Sequence, residues 1–119
     1  MRLSDGLKEL GSIYAPMPAR IAAVQKITEM ENLYTIELPH EYRIRHRPGQ
    51  FVQLSILGVG EAPISISSSP SRSSSAFELC VRRAGDLTSA LHRMGRGDMV
   101  GVRGPFGRGF RPGAPRNLF

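Results

Sequence analysis

At 119 residues the chain is long enough for one domain with a single core and too short for two. Its 16 Lys and Arg against 10 Asp and Glu give a net charge of +6, carried almost wholly by arginines, which reads first as a solvated surface; a nucleic-acid patch is the sharper reading, but the arginines are scattered with few aromatics among them, and an acidic partner protein or a phosphorylated ligand fits equally well. The lone Cys80 excludes a disulfide framework or a multi-cysteine metal or iron–sulfur site within this chain, no apolar run reaches transmembrane length, and the charge-mixed stretch Met1 to Leu10 lacks the apolar centre of a signal peptide, which points to the cytoplasm.

Leu3, Leu7 and Leu10 stand at helical spacing behind Ser4-Asp5, so residues 1–15 read as a short helix or a frayed tail. Pro16 and Pro18 break the chain into an extended entry, and a first strand follows from Arg20 to Thr28. Three later segments alternate cleanly. Tyr34, Ile36 and Leu38 face one way against Thr35 and Glu37; Val52, Leu54 and Ile56 oppose Phe51, Gln53 and Ser55; Phe77, Leu79 and Val81 oppose Glu78, Cys80 and Arg82. A period of two marks half-buried strands. Pro39 ends the second strand, a basic stretch from Arg43 to Arg47 crosses to Pro48-Gly49, and Gly58-Val59-Gly60 is a turn. The serine-rich run Ser67 to Ser75, with Pro70 and Arg72, reads as a flexible hairpin loop. One internal helix is expected, capped by Asp86, with Leu87, Leu91 and Met94 as its apolar stripe and Gly95 and Gly97 as its stop. Met99 to Arg103 forms a last strand, and Gly104-Pro105-Phe106-Gly107 with the Gly-, Pro- and Arg-rich tail resembles a linker. Six short strands, one helix and turn-length connections predict a small closed antiparallel barrel.

Side-chain catalysis finds little footing. His40, His46 and His92 are far apart in sequence without acidic or cysteine neighbours at ligand spacing, and read as solvated or capping histidines. Ser65, Ser67, Ser68 and Ser69 lack the glycine-flanked turn of a serine nucleophile, and Cys80 within its strand reads as a small packed hydrophobe. No catalytic or metal-ligating residue is assigned.

Cofactor binding needs only backbone and small side chains. Gly85-Asp86-Leu87-Thr88 places a glycine before a helix start, where free amides and roughly half a positive charge of helix dipole can hold a diphosphate. Taken alone these four residues also describe a plain capped helix. Ala62-Pro63-Ile64-Ser65-Ile66-Ser67 sets hydroxyls on one face of a strand and branched apolar side chains on the other, as an ordinary amphipathic strand also does.

Together these stretches resemble a known family. Arg47-Pro48-Gly49-Gln50-Phe51-Val52, Ala62-Pro63-Ile64-Ser65, Gly85-Asp86-Leu87-Thr88, Gly97-Asp98 and Gly104-Pro105-Phe106-Gly107 stand in the order found in the FAD-binding domain of the ferredoxin–NADP reductase superfamily. Within it the chain is most similar to electron-transfer subunits: the gamma subunit of nickel–iron hydrogenase or sulfhydrogenase, the second subunit of anaerobic sulfite reductase and the dihydroorotate dehydrogenase electron-transfer subunit. The resemblance runs from about Pro16 to the end. It implies an all-β, six-stranded antiparallel Greek-key barrel with one capping helix over residues 16–107. It implies FAD rather than FMN as cofactor, held by Pro63, Ile64, Ser65, Ile66, Val81, Arg82, Arg83, Gly85, Leu87 and Thr88. Backbone groups of Pro63 to Ser65 would meet the polar edge of the flavin ring and Ile64 would cover one face. The family signature Arg-x-Tyr-Ser falls on Ala62, Ile64 and Ser65, so its arginine is replaced by alanine, and Arg82 or Arg83 is the expected substitute cation.

The family continues into a nicotinamide-binding domain, and residues 108–119, ending Asn117-Leu118-Phe119, read as a linker and the first strand of that domain. The implied activity is electron transfer between NAD(P)H, bound through that further domain, and an iron–sulfur or hydrogenase-type partner subunit. Nucleic acid and membrane are not expected as partners. Two rival readings remain on the residues alone: a basic nucleic-acid-binding barrel, and a flavin-free interaction module, the latter consistent with Ala62.

Overall fold

The computed structural model describes residues 8–9 and 13–107. Its strands are β1 (Lys8–Glu9), β2 (Ile13–Lys26), β3 (Glu31–Glu37), β4 (Tyr42–Arg43), β5 (Phe51–Ile56), β6 (Gly60–Ser65), β7 (Ala76–Arg82) and β8 (Met99–Phe106), with one helix, α1 (Asp86–His92), and a 3-10 turn at Pro70–Arg72. Six strands form one antiparallel sheet in the order β6-β5-β8-β2-β3-β7. The last strand lies between β5 and β2, which is the non-sequential order of a Greek key. The two outer strands, β6 and β7, meet at one isolated antiparallel bridge, Ile66 to Leu79, and the Ser67 N–H donates to the Glu78 carbonyl beside it. The sheet is therefore barrel-like but not closed: where a closed barrel was expected, its two edge strands meet at this one bridge without a continuous ladder.

The period-two runs point inward as their pattern requires. Tyr34, Ile36 and Leu38, then Val52 and Leu54, then Phe77, Leu79 and Val81 are all buried in one core, joined by Ile21 and Val102; Ile56 packs on its margin. Each fully buried side chain of this kind contributes roughly 1.5–3 kcal/mol over its exposed state. Helix α1 adds Leu87, Ala90 and Leu91 to the core, packs on β5 and β6, and is followed by the half-buried Met94. Its last turn is tied down by polar contacts. The Tyr34 hydroxyl donates to the Leu91 carbonyl at 3.3 Å while accepting from Asn32 Nδ2 at 3.1 Å, and His92 Nε2 donates to the Val81 carbonyl at 3.0 Å.

Several expectations are corrected. Strand β2 begins at Ile13, ends at Lys26 and runs through Pro16 and Pro18, which were expected to interrupt it. Over this stretch β2 pairs only with β8, with a register shift between Ile13 and Met17, and β3 joins from Arg20 onward. Proline is tolerated where a strand is locally an edge or bulged. Lys8–Glu9 is a strand paired in parallel with Tyr42–Arg43, where a helix or tail was expected; Leu3, Leu7, Leu10 and Asn117-Leu118-Phe119 lie outside the described residues. The last strand extends to Phe106, so Gly104-Pro105-Phe106 belongs to the sheet and not to a linker. Cys80 is exposed on the outer face of β7 rather than packed, as its alternation with Leu79 and Val81 dictates. The serine run is a folded turn with Ser68 buried, and His46 is buried rather than solvated.

Candidate functional site

The seam between β6 and β7 is where the expected site residues gather. Continuing the register of the Ile66–Leu79 bridge sets Ser65, Ile64 and Pro63 opposite Cys80, Val81 and Arg82, without the ladder carrying on between them. The chain then leaves β7 through Arg83 and Ala84 into Gly85 and α1, and α1 lies back against β6. Both stretches singled out from sequence thus lie close to one another in the fold.

Strand geometry fixes which backbone groups face the seam. The Ile66 N–H donates to the Gln50 carbonyl on the β5 side, and the Ser67 N–H donates across to Glu78 on the β7 side. Because backbone groups alternate along a strand, the Ser65 N–H and the Pro63 carbonyl point toward β7, where β6 has no ladder partner. The Ser65 side chain is exposed, whereas Ile64 and Ile66 are turned into the core.

Gly85 is the N-cap of α1, one residue before the cap expected at Asp86. The turn is closed by Thr88, whose Oγ1 accepts from the Ala84 N–H at 2.8 Å and the Gly85 N–H at 3.0 Å, and donates to the Gly85 carbonyl at 3.3 Å. The amides of Asp86, Leu87 and Thr88 have no carbonyl four residues back within the helix and complete the donor set at its head. Gly85 has extended backbone, φ −172°, which any residue adopts, and a Cβ built on it meets no atom within 4 Å. Nothing inside the fold demands glycine here, and the space beside it is open. Gly101 is the opposite case, since a Cβ there would overlap Ser55 Oγ and press on Pro16.

The two arginines diverge. Arg82 Nη1 lies 3.8 Å from the Glu31 carboxylate, its cross-strand partner, while Arg83 Nη2 contacts Met30 Sδ at 3.5 Å and no described carboxylate pairs with it. Leu87 is buried beneath the helix and Val81 in the core. At the start of β6, Arg103 donates to Glu61 from Nη2 at 2.7 Å and from Nε at 3.1 Å, and these hydrogen bonds hold the Glu61 carboxyl below its ordinary range. Two surface clefts lie elsewhere, one lined by Pro16, Pro18, Leu57, Val59 and Met99 and the other by Arg20, Glu37 and His40; neither contains an expected site residue. Among the described residues no group of three His, Cys, Asp or Glu can hold a metal ion, and no helix is long and apolar enough to cross a membrane.

Sequence reasoning missed the polar clamp at the closed end of the seam, formed by His46, Ser68 and Ser73 around Glu78. The sequence carried a signal in the alternation Arg43-Ile44-Arg45-His46-Arg47, and the structure buries Ile44 and His46 although Ile44 to Arg47 form no strand.

A family model described as the oxidoreductase FAD-binding domain matches residues 18–110. The chain is 48% identical over 102 residues to sulfhydrogenase 1 subunit gamma of Pyrococcus furiosus, covering 82% of this chain and 34% of that protein. It is 38% identical over 95 residues to the probable dihydroorotate dehydrogenase B (NAD(+)) electron transfer subunit of Methanopyrus kandleri, covering 80% of this chain and 34% of that protein. The chain spans about a third of the length of these curated relatives. In fold it superposes on the cytochrome b5 reductase domain of Ulva prolifera nitrate reductase with a TM-score of 0.72 at 18% identity, covering 84% of this chain and 43% of the other. By sequence over most of its length the chain belongs to the oxidoreductase FAD-binding domain family.

Proposed function

We propose that this chain holds FAD at the β6–β7 seam, as the flavin-binding part of a cytoplasmic NAD(P)H-dependent electron-transfer oxidoreductase. The carrying observation is the juxtaposition of the unladdered edge at Pro63–Ser65 with the head of α1, where Gly85 leaves open space. The Ser65 amide and Pro63 carbonyl are a donor and an acceptor spaced along one edge, which suits the alternating donors and acceptors on the polar rim of an isoalloxazine. The amides of Asp86 to Thr88 suit a diphosphate, the reason for preferring FAD to FMN. Thr88 acts by shaping this turn, because its hydroxyl is engaged by the amides of Ala84 and Gly85. Arg83, free of a described carboxylate, supplies the positive charge that Ala62 does not, while Glu31 draws Arg82 the other way.

A flavin held by these residues would supply hydride acceptance and single-electron release. The protein's part is to orient the ring through backbone hydrogen bonds, to shield it on the core side and to neutralise its phosphate tail. Nicotinamide binding is assigned to the further length of the relatives, and the electron partner to an iron–sulfur or hydrogenase-type subunit; support for both comes from the similarity to sulfhydrogenase gamma and dihydroorotate dehydrogenase electron-transfer subunits. Titration of the purified chain with FAD and with FMN, followed by visible absorption, tests the reading. Saturable binding with FAD at least tenfold tighter than FMN is expected. A chain that binds neither, or FMN as tightly as FAD, contradicts it.

A further inference from the structure

We propose that His46 is a positioning residue for the flavin seat: through Ser73 and Ser68 it holds Glu78 and so sets where the β6–β7 seam stops being closed and begins to open. The inference rests on the assignment of the seam to a flavin. His46 and Ser68 are the buried polar residues of the described chain, 7% and 6% exposed. His46 Nδ1 lies 3.2 Å from the Arg47 carbonyl, which can only accept, so Nδ1 carries a proton and Nε2 faces Ser73 Oγ at 2.8 Å. Ser73 Oγ lies 2.8 Å from Ser68 Oγ, and Ser68 Oγ accepts from the Glu78 N–H at 3.0 Å. Nε2 accepts the Ser73 proton, and the Ser69 carbonyl lies 3.1 Å from the same Ser73 Oγ.

The network ends at the seam. Both backbone groups of Glu78 are taken by the chain leaving β6, its carbonyl by the Ser67 N–H at 2.8 Å and its N–H by Ser68 Oγ. These bonds adjoin the Ile66–Leu79 bridge, and the proposed seat begins one residue further on, at Ser65. Removing the imidazole takes away its bond to Ser73 Oγ, leaves the Ile44 N–H to Ser74 carbonyl bond as the tie between the two segments, and loosens Ser67–Ser68 against Glu78. Ser65 then moves relative to the head of α1. No hydrogen bond joins His46 directly to either stretch of the seat; besides the serines, its Arg47 carbonyl contact leads through Gln50 to the Ile66 N–H, and Ser73→Ala isolates the serine route.

The test compares wild-type, His46→Ala, His46→Gln and Ser73→Ala in the full chain. Glutamine reaches the position of Nε2 and can donate or accept there. Thermal unfolding without flavin, FAD titration and the visible spectrum of the bound flavin are recorded for each. His46→Ala and Ser73→Ala are expected to weaken FAD binding at least fivefold and to shift the visible flavin band, with His46→Gln restoring both. Wild-type affinity and spectrum in Ser73→Ala, or in a folded His46→Ala that loses only thermal stability, overturn the inference while leaving the site assignment standing; should His46→Ala not fold, Ser73→Ala decides. A wild-type chain that takes up no FAD overturns the site assignment and this inference with it.

Discussion

Exchanging Gly85 for asparagine separates what the fold requires from what a ligand requires. The backbone at Gly85 is extended and a Cβ there meets nothing within 4 Å, so the side chain enters without strain. Asparagine is among the best N-cap residues, and glycine trails it by only a few tenths of a kcal/mol. Losing glycine's freedom in the unfolded chain adds about 0.4–1 kcal/mol in favour of the variant. The flavin-free variant should therefore be as stable as wild-type or more so by up to about 1 kcal/mol, a rise in Tm of no more than about 8 °C. The ligand meets the opposite situation. The asparagine oxygen caps the amide of Leu87 or Thr88, removing one donor from a phosphate, and the side chain fills the open space. Losing one hydrogen bond to a charged group costs about 1.5–3 kcal/mol, or about ten- to hundredfold in Kd. Urea unfolding of the flavin-free chain and an FAD titration measure the two sides. Wild-type FAD affinity in Gly85→Asn would refute the reasoning; so would a large loss of stability, which would mean that the fold itself needs the glycine.

Gly101→Ala should do the reverse: its Cβ overlaps Ser55 Oγ and lies 3.2 Å from Pro16 Cβ, so urea unfolding should show a loss of about 1–3 kcal/mol. Adding Ser55→Ala should recover most of it, and no recovery would place the obstruction at Pro16. Tyr34→Phe deletes the hydroxyl bonded to Leu91 and Asn32 and should cost about 1 kcal/mol. Burial also pushes the Tyr34 phenol above its ordinary 10.0, with the Asn32 hydrogen bond opposing in part. The folded state holds that proton more tightly, so this stability is present below pH 10 and lost as pH rises through the raised value; the alkaline slope should be absent from Tyr34→Phe. Glu61 has the opposite sign. Hydrogen bonding to Arg103 lowers its carboxyl from 4.5, so its contribution is present above that pH and lost as pH falls through the lower value. Glu61→Gln should flatten the acid limb of a stability–pH curve, and an unchanged limb would show the pair to be inert.

Much of the barrel was legible because alternation is local. The residues at 34, 36 and 38, or 77, 79 and 81, announce a buried face whatever lies across from them. Pairing is not local. Pro16 and Pro18 look like strand breakers until β8 is known to be their sole neighbour over that stretch. Gly104 to Phe106 looks like a linker until Phe51 is seen opposite Phe106. The serine run showed the same blindness: its composition says loop, and only a buried imidazole 27 residues earlier in the chain turns Ser73 into a structural contact. The two stretches that sequence order picked out lie beside the β6–β7 seam. Sequence order missed that Thr88 spends its hydroxyl on its own turn, since that depends on the backbone path through Ala84 and Gly85.

The proposed function turns on two remote stretches of chain forming the two walls of one flavin slot. Backbone amide NMR of the full chain during addition of FAD tests that directly. The amides of Ser65 and of Gly85 to Thr88 are expected to shift together with a single Kd, while those of Leu57, Val59 and Met99 in the distant apolar cleft stay fixed. Shifts confined to that cleft, or to one wall of the seam without the other, would contradict it.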